Sequence, residues 1–178
     1  MKCLFRCNNK GITVLGLLTA VAIIVFVIFP VFAAVIERYI ILNKAQIIRD
    51  AVDLANISIY NALDAGDMGK NTVSLDYGNV SSIYRSMLAT NLNLNPTNLN
   101  PLPNSIADGP VTIDSLVIYT GGFPVTCPNG TILKRPSVHS CVIIPVKPSL
   151  YRQIILDMMG KQYVELKIHV DTDIPVDN

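Results

Sequence analysis

The stretch GITVLGLLTAVAIIVFVIFPVFAAVI, residues 11–36, carries no charged side chain and runs directly into ERYIILNKAQIIRDAVDLANIS, residues 37–58, where charge returns at helical spacing. The first part is about 25 residues long, enough to cross a hydrocarbon core of ~30 Å at 1.5 Å per residue. Its Val, Ile, Leu and Phe residues each favour insertion by roughly 0.3 to 0.6 kcal/mol. Pro30 is compatible with such a span, because a kinked transmembrane helix satisfies the freed carbonyl locally. A soluble core helix would show a polar face, and this run has none. The reading is a transmembrane helix over residues 11–36.

Working outward, Lys2, Arg6 and Lys10 precede the span with no acidic residue among them. The positive-inside rule then leaves residues 1–10 in the cytoplasm and places the remaining chain outside, a single-pass cell-membrane protein. The competing reading is a cleaved secretory signal. Such a signal has an apolar core of only ~7–15 residues, shorter than this one, although Val31-Phe32-Ala33 has the small-residue pattern of a cut after Ala33.

From Glu37 to about Ala65 there is neither Pro nor Gly, and Gly66 and Gly69 then supply a stop signal. Ile40, Ile41, Ile47, Ile48, Ala51, Val52, Leu54, Ala55, Ile59 and Leu63 recur at spacings of three and four, the stripe of an amphipathic helix over residues 37–65. That stripe needs a partner, either the chain's own following domain or neighbouring subunits. Ile47, Ala51, Leu54 and Ala55 are the expected helix-packing positions.

Lys10-Gly11-Ile12-Thr13-Val14, the apolar span, Glu37-Arg38 and the run from Lys44 to Ala55 together resemble the N-terminal region of TadE/TadG-like proteins, pseudopilin-type components of tight-adherence (Flp) pilus systems. The resemblance covers about the first 60 residues. It implies a membrane-anchored component of a surface pilus assembly system, with membrane lipid and other pilus or pseudopilin subunits, or further copies of itself, as partners. It also implies a processing site at Gly11 and Ile12. Cutting there would put Gly16 at the position where type IV pilins carry Glu. An intramembrane Glu is costly unless paired and helps to register subunits. Its replacement by Gly points to a membrane-retained minor component rather than a major pilin.

Residues 66–178 suffice for one small extracytoplasmic domain. Val80 to Leu92 is a short helical pattern, with Ser81 or Ser82 at its N-cap. Residues 91–110, dense in Asn and Pro, read as an extended surface loop. Val111 to Tyr119, Val138 to Val146 and Tyr163 to Val170 read as strands, with Val73 to Tyr77 a short edge strand. Pro148-Ser149 opens a helix to about Met159, closed by Gly160, with Leu150, Ile154 and Met158 as the stripe that covers the sheet. The fold class is therefore α+β. An N-terminal transmembrane helix continues into a long amphipathic helix, and a domain follows with a mainly antiparallel sheet of three or four strands and one or two short helices.

Cys3 and Cys7 lie in the cytoplasmic segment, which is reducing, and read as free thiols, with juxtamembrane acylation or half of a metal site as the alternatives. Cys127 and Cys141 flank the turn Pro128-Asn129-Gly130 and are expected to form a disulfide worth roughly 3 kcal/mol in the chain-entropy model. On a strand His139 and Cys141 share a face. With Arg135 and Arg152 they would be the raw material of a sortase-like Cys-His-Arg transpeptidase, but the expected disulfide consumes the nucleophile. The expectation is no enzyme, no cofactor, no metal site and no small-molecule substrate. Asp171, Asp173 and Asp177 read as a solvated acidic tail, because no EF-hand loop surrounds them. Asn56, Asn79 and Asn129 begin glycosylation sequons. The net charge of +1, with scattered basic residues, gives no support to a nucleic-acid partner. The alternative to a pilus component is a signal-anchored or secreted binding module that uses the Asn/Pro-rich loop, with no role in a filament.

Overall fold

The computed structural model describes residues 14–62, 77–148 and 150–174. Helical backbone runs from Val14 to Ser58, as α1 (Val14–Ile23), a π-helical turn (Ile24–Ile28) and α2 (Phe29–Ser58), and ends in a 3-10 turn (Ile59–Ala62). The π turn has a local cause. Pro30 lacks an amide proton and its ring presses on the carbonyl four residues back, that of Phe26. The turn widens there, and the Phe29 amide reaches the Ile24 carbonyl five residues away. Residues 14–29 are all exposed, so this is one N-terminal helix long and apolar enough to span a membrane.

The chain divides into two units, Met1–Tyr39 and Ile40–Asn178. In the second, the later part of α2 is followed by α3 (Tyr77–Leu92), β1 (Thr112–Tyr119), a small hairpin of β2 (Val125–Thr126) and β3 (Ile132–Leu133), β4 (Ser137–Val146), α4 (Leu150–Met158) and β5 (Val164–Asp173). β1, β4 and β5 form an antiparallel sheet with β4 at its centre. The α+β class and the antiparallel sheet are as expected, and the sheet has three strands.

Period-two alternation gives the sheet an apolar face and a polar face. Val138, Val142, Ile144 and Val146 of β4 and Val170 of β5 are buried in one core with Ile48, Val52, Ala55 and Ile59 of α2 and Tyr84, Leu88, Ala89 and Leu92 of α3. The helices are joined by Asn91, whose side-chain amide donates to the Ala51 carbonyl at 3.1 Å. Helix α2 is fastened to β5 by a buried polar chain. The Asn56 amide donates to the Thr172 hydroxyl at 2.9 Å, which donates to the Asp53 carboxylate at 2.6 Å.

Several expectations are corrected. Helix α3 begins at Tyr77, so Ser81 and Ser82 lie inside it, and Ser82 donates back to the Asn79 carbonyl at 2.7 Å. Most of the expected edge strand at Val73 to Tyr77 lies outside the described residues. Of the stripe expected on α4, Ile154 and Met158 are exposed rather than set on the sheet, whose apolar face α2 and α3 already occupy, and the Leu150 side chain lies outside the described residues. The Asn/Pro-rich stretch is packed on itself. Leu94 and Leu99 are buried, the Asn95 and Asn98 side chains accept from backbone amides two residues on, and Arg85 donates to the carbonyls of Pro96 and Thr97 at 2.9 and 2.6 Å. Strand β5 runs on through Asp173, so Asp171 and Asp173 are strand residues rather than tail; Asp177 lies outside the described residues.

Candidate functional site

Two surfaces stand out, and each follows from the periodicity of the element that carries it. The first is on α2. Of the four expected packing positions, Ala51 and Ala55 are buried in the domain's own core, whereas Ile47 and Leu54 are 48% and 55% exposed. Ile40, seven residues before Ile47, is also exposed. At 100° per residue Ile40, Ile47 and Leu54 form one narrow line beside the buried face. Leu54 continues, with Ile57 and Met87, into a shallow groove between α2 and α3. The apolar stripe is thus wider than the domain covers, and the uncovered edge is aliphatic.

The second surface is the polar face of the sheet. Register sets His139 opposite Asp171 and Cys141 opposite His169, so these four side chains point the same way. His139 is fully buried, and its Nδ1 lies 2.6 Å from Asp171 Oδ1. Its Nε2 is buried and has no hydrogen-bond partner among the described residues. The turn between β2 and β3 brings Cys127 over the same carboxylate, with Sγ 3.6 Å from Asp171 Oδ2. Asn129 completes the cluster: its amide donates to Asp171 Oδ2 at 3.1 Å, and its carbonyl oxygen accepts from the Cys127 thiol. Cys127 Sγ, a His139 ring nitrogen and an Asp171 oxygen all lie within 4.8 Å of one another. Asp171 also lines an open cleft of ≈ 660 Å³ with Asp53, Lys134 and Arg135.

Cys141 sits in a separate setting. Its Sγ is 3.6 Å from His169 Nε2. Burial pushes the thiol pKa up, the adjacent Asp114 carboxylate pushes it the same way, and Lys167 opposes them. The result is a thiol rather than a thiolate at neutral pH, the opposite of what an activated nucleophile needs. Asp114 is held below the usual carboxylate range, chiefly by Lys167, whose Nζ is 2.9 Å from Asp114 Oδ2.

The expected Cys127–Cys141 disulfide is not formed. Both thiols are free and buried, one facing Asp171 and Asn129, the other His169, because the hairpin places Cys127 over the His139–Asp171 pair rather than over Cys141. His139 and Cys141 do share a face, yet each is engaged across to β5 instead of with the other. Arg152 lies on α4 and lines a cleft with Leu156, Lys161 and Tyr163. Among the sequons, Asn56 is fully buried and cannot accept a glycan in the folded state. Gly11, Ile12, Cys3 and Cys7 lie outside the described residues. The sequence reading missed the Cys127–His139–Asp171 grouping; its only advance signal was the alternation that aligned His139 with Cys141.

No protein-family model matches the chain, and no curated protein or solved structure is significantly similar to it.

Proposed function

We propose that this protein is a single-pass membrane subunit of a surface assembly system, a TadE/TadG-like minor component of a pilus machine. The N-terminal helix holds it in the bilayer with the N-terminus in the cytoplasm, and residues 40–178 act outside. The observation that carries the reading is the aliphatic line Ile40, Ile47 and Leu54, left exposed along one edge of a helix whose neighbouring face, Ile48, Ala51, Val52 and Ala55, is buried in the domain's core. A helix that served only to hold its own domain would not need a stripe wider than that domain covers. Lateral packing of such edges, between copies or against other subunits, joins membrane-anchored domains without chemistry. The reading as a signal-anchored or secreted binding module has less behind it, since the Asn/Pro-rich loop spends its polar groups on its own turns.

The test is the intact mass and N-terminal residue of the protein from membranes and, separately, from sheared surface material. An unprocessed chain confined to membranes fits the anchored component. A chain beginning at Ile12 in sheared filaments would make it a pilin. A chain beginning at Ala34 in the medium would overturn the anchor.

A further inference from the structure

The polar face of the sheet carries donor chemistry that packing alone does not account for. His139 is at the centre of β4, fully buried, yet it hydrogen-bonds through Nδ1 only and its Nε2 is unpartnered among the described residues. The ring edge that faces Asp171 is Nδ1, and it is this edge that an ion shared with the carboxylate and the Cys127 thiol would meet. Three different elements converge on this ring: β4 with His139, β5 with Asp171 and the β2–β3 turn with Cys127.

We propose that Cys127, His139 and Asp171 form a binding site for zinc. Thiolate, imidazole and carboxylate in one cluster suit a borderline-soft divalent ion, whereas calcium and magnesium select all-oxygen shells. The mutual separations, all within 4.8 Å, need only small side-chain movements to surround an ion with bonds of about 2.0–2.3 Å. Binding replaces the Cys127 thiol proton, which leaves to solvent, by the metal–sulfur bond, and His139 binds through the Nδ1 lone pair of the tautomer that carries its proton on Nε2. The fourth position faces the cleft beside Asp171 and is taken by water or by the Asn129 carbonyl oxygen, which already touches Cys127. The ion fastens the hairpin to the sheet. The neighbouring group of Cys141, His169 and Asp114 is unsuitable, because the Lys167 ammonium already sits on the Asp114 carboxylate. This site is independent of the membrane-assembly reading and stands or falls without it.

The test uses the full chain in detergent with Cys3, Cys7 and Cys141 all changed to Ser, titrated with Co²⁺. The expected result is one Co²⁺ per chain, with a sulfur-to-cobalt charge-transfer band and the visible bands of tetrahedral coordination, both removed by Zn²⁺. Adding Cys127→Ser abolishes the sulfur band. The near-isosteric Asp171→Asn, with an unchanged circular dichroism spectrum, weakens binding by about 10-fold or more. Absence of the sulfur band while Cys127 is present, or a band that survives Cys127→Ser, overturns the site.

Discussion

Changing Ala51 and Leu54 separately to Asp distinguishes the two faces of α2, although they are only three residues apart. Leu54 is 55% exposed, so less than half of a leucine's full burial, about 1.5–3 kcal/mol, is realised within the chain. Leu54→Asp thus forfeits about 1 kcal/mol of packing, plus about 0.5 kcal/mol of helix propensity. Ala51 is 6% exposed, in the same core as Val52 and Leu88, and Asn91 of α3 hydrogen-bonds to its carbonyl. A carboxylate there has neither water nor a cation, a cost of several kcal/mol against a total of about 5–15 kcal/mol for a typical domain. Near-ultraviolet tyrosine dichroism and protease resistance report folding of the detergent-solubilised chain, and sedimentation reports its association. Leu54→Asp should keep the folded signals and lose association, whereas Ala51→Asp should lose the folded signals. A folded Ala51→Asp would refute the assignment of the core face, and Leu54→Asp assembling as well as the parent would refute lateral packing through this edge.

Further outcomes follow from the buried polar groups. Asn56→Ala removes the donor that Thr172 accepts from and should cost about 1–3 kcal/mol in denaturant titration; no loss would mean that the Asp53–Thr172–Asn56 chain is not a fastening. The Tyr84 hydroxyl is buried beside the Ser140 hydroxyl and makes no well-formed hydrogen bond among the described residues, so Tyr84→Phe should leave stability unchanged or raised, and a loss above about 2 kcal/mol would contradict that. Burial pushes the Tyr84 phenol up to about 12. The folded state thus holds its proton where the unfolded chain, with a pKa near 10, has lost it, and stability falls as pH rises from about 10 to 12. The Tyr84 part of that loss, on the order of 2 kcal/mol by pH 12, should vanish in Tyr84→Phe. An alkaline unfolding profile identical in both proteins would refute it.

The long apolar N-terminal helix was legible because one-dimensional information suffices for it: length and lack of charge from residue 11 to 36. The strands were legible from alternation, as in Val164, Leu166, Ile168 and Val170. What periodicity could not do was divide one wide stripe between two partners. Ala51 and Leu54 are equivalent on a helical wheel until the sheet and α3 choose the side they cover. The polar cluster was hidden for the same reason. That Asp171 lies opposite His139 is a matter of cross-strand register, and the position of Cys127 depends on a hairpin folding back over the sheet; neither is local. Sequence proximity to a turn suggested a Cys127–Cys141 bridge, and the tertiary fold gave the two thiols different neighbours.

The most direct test of the central claim is oxidative cross-linking in native membranes, using single cysteines at Ile47, Leu54 and Arg49 in a chain whose own cysteines are replaced by Ser. Ile47 and Leu54 lie on the uncovered aliphatic edge, and Arg49 is an exposed polar position away from it. The account predicts cross-linked species through Ile47→Cys and Leu54→Cys, and little through Arg49→Cys. Equal cross-linking at all three positions, or none at any of them, would contradict a helix edge built for lateral assembly.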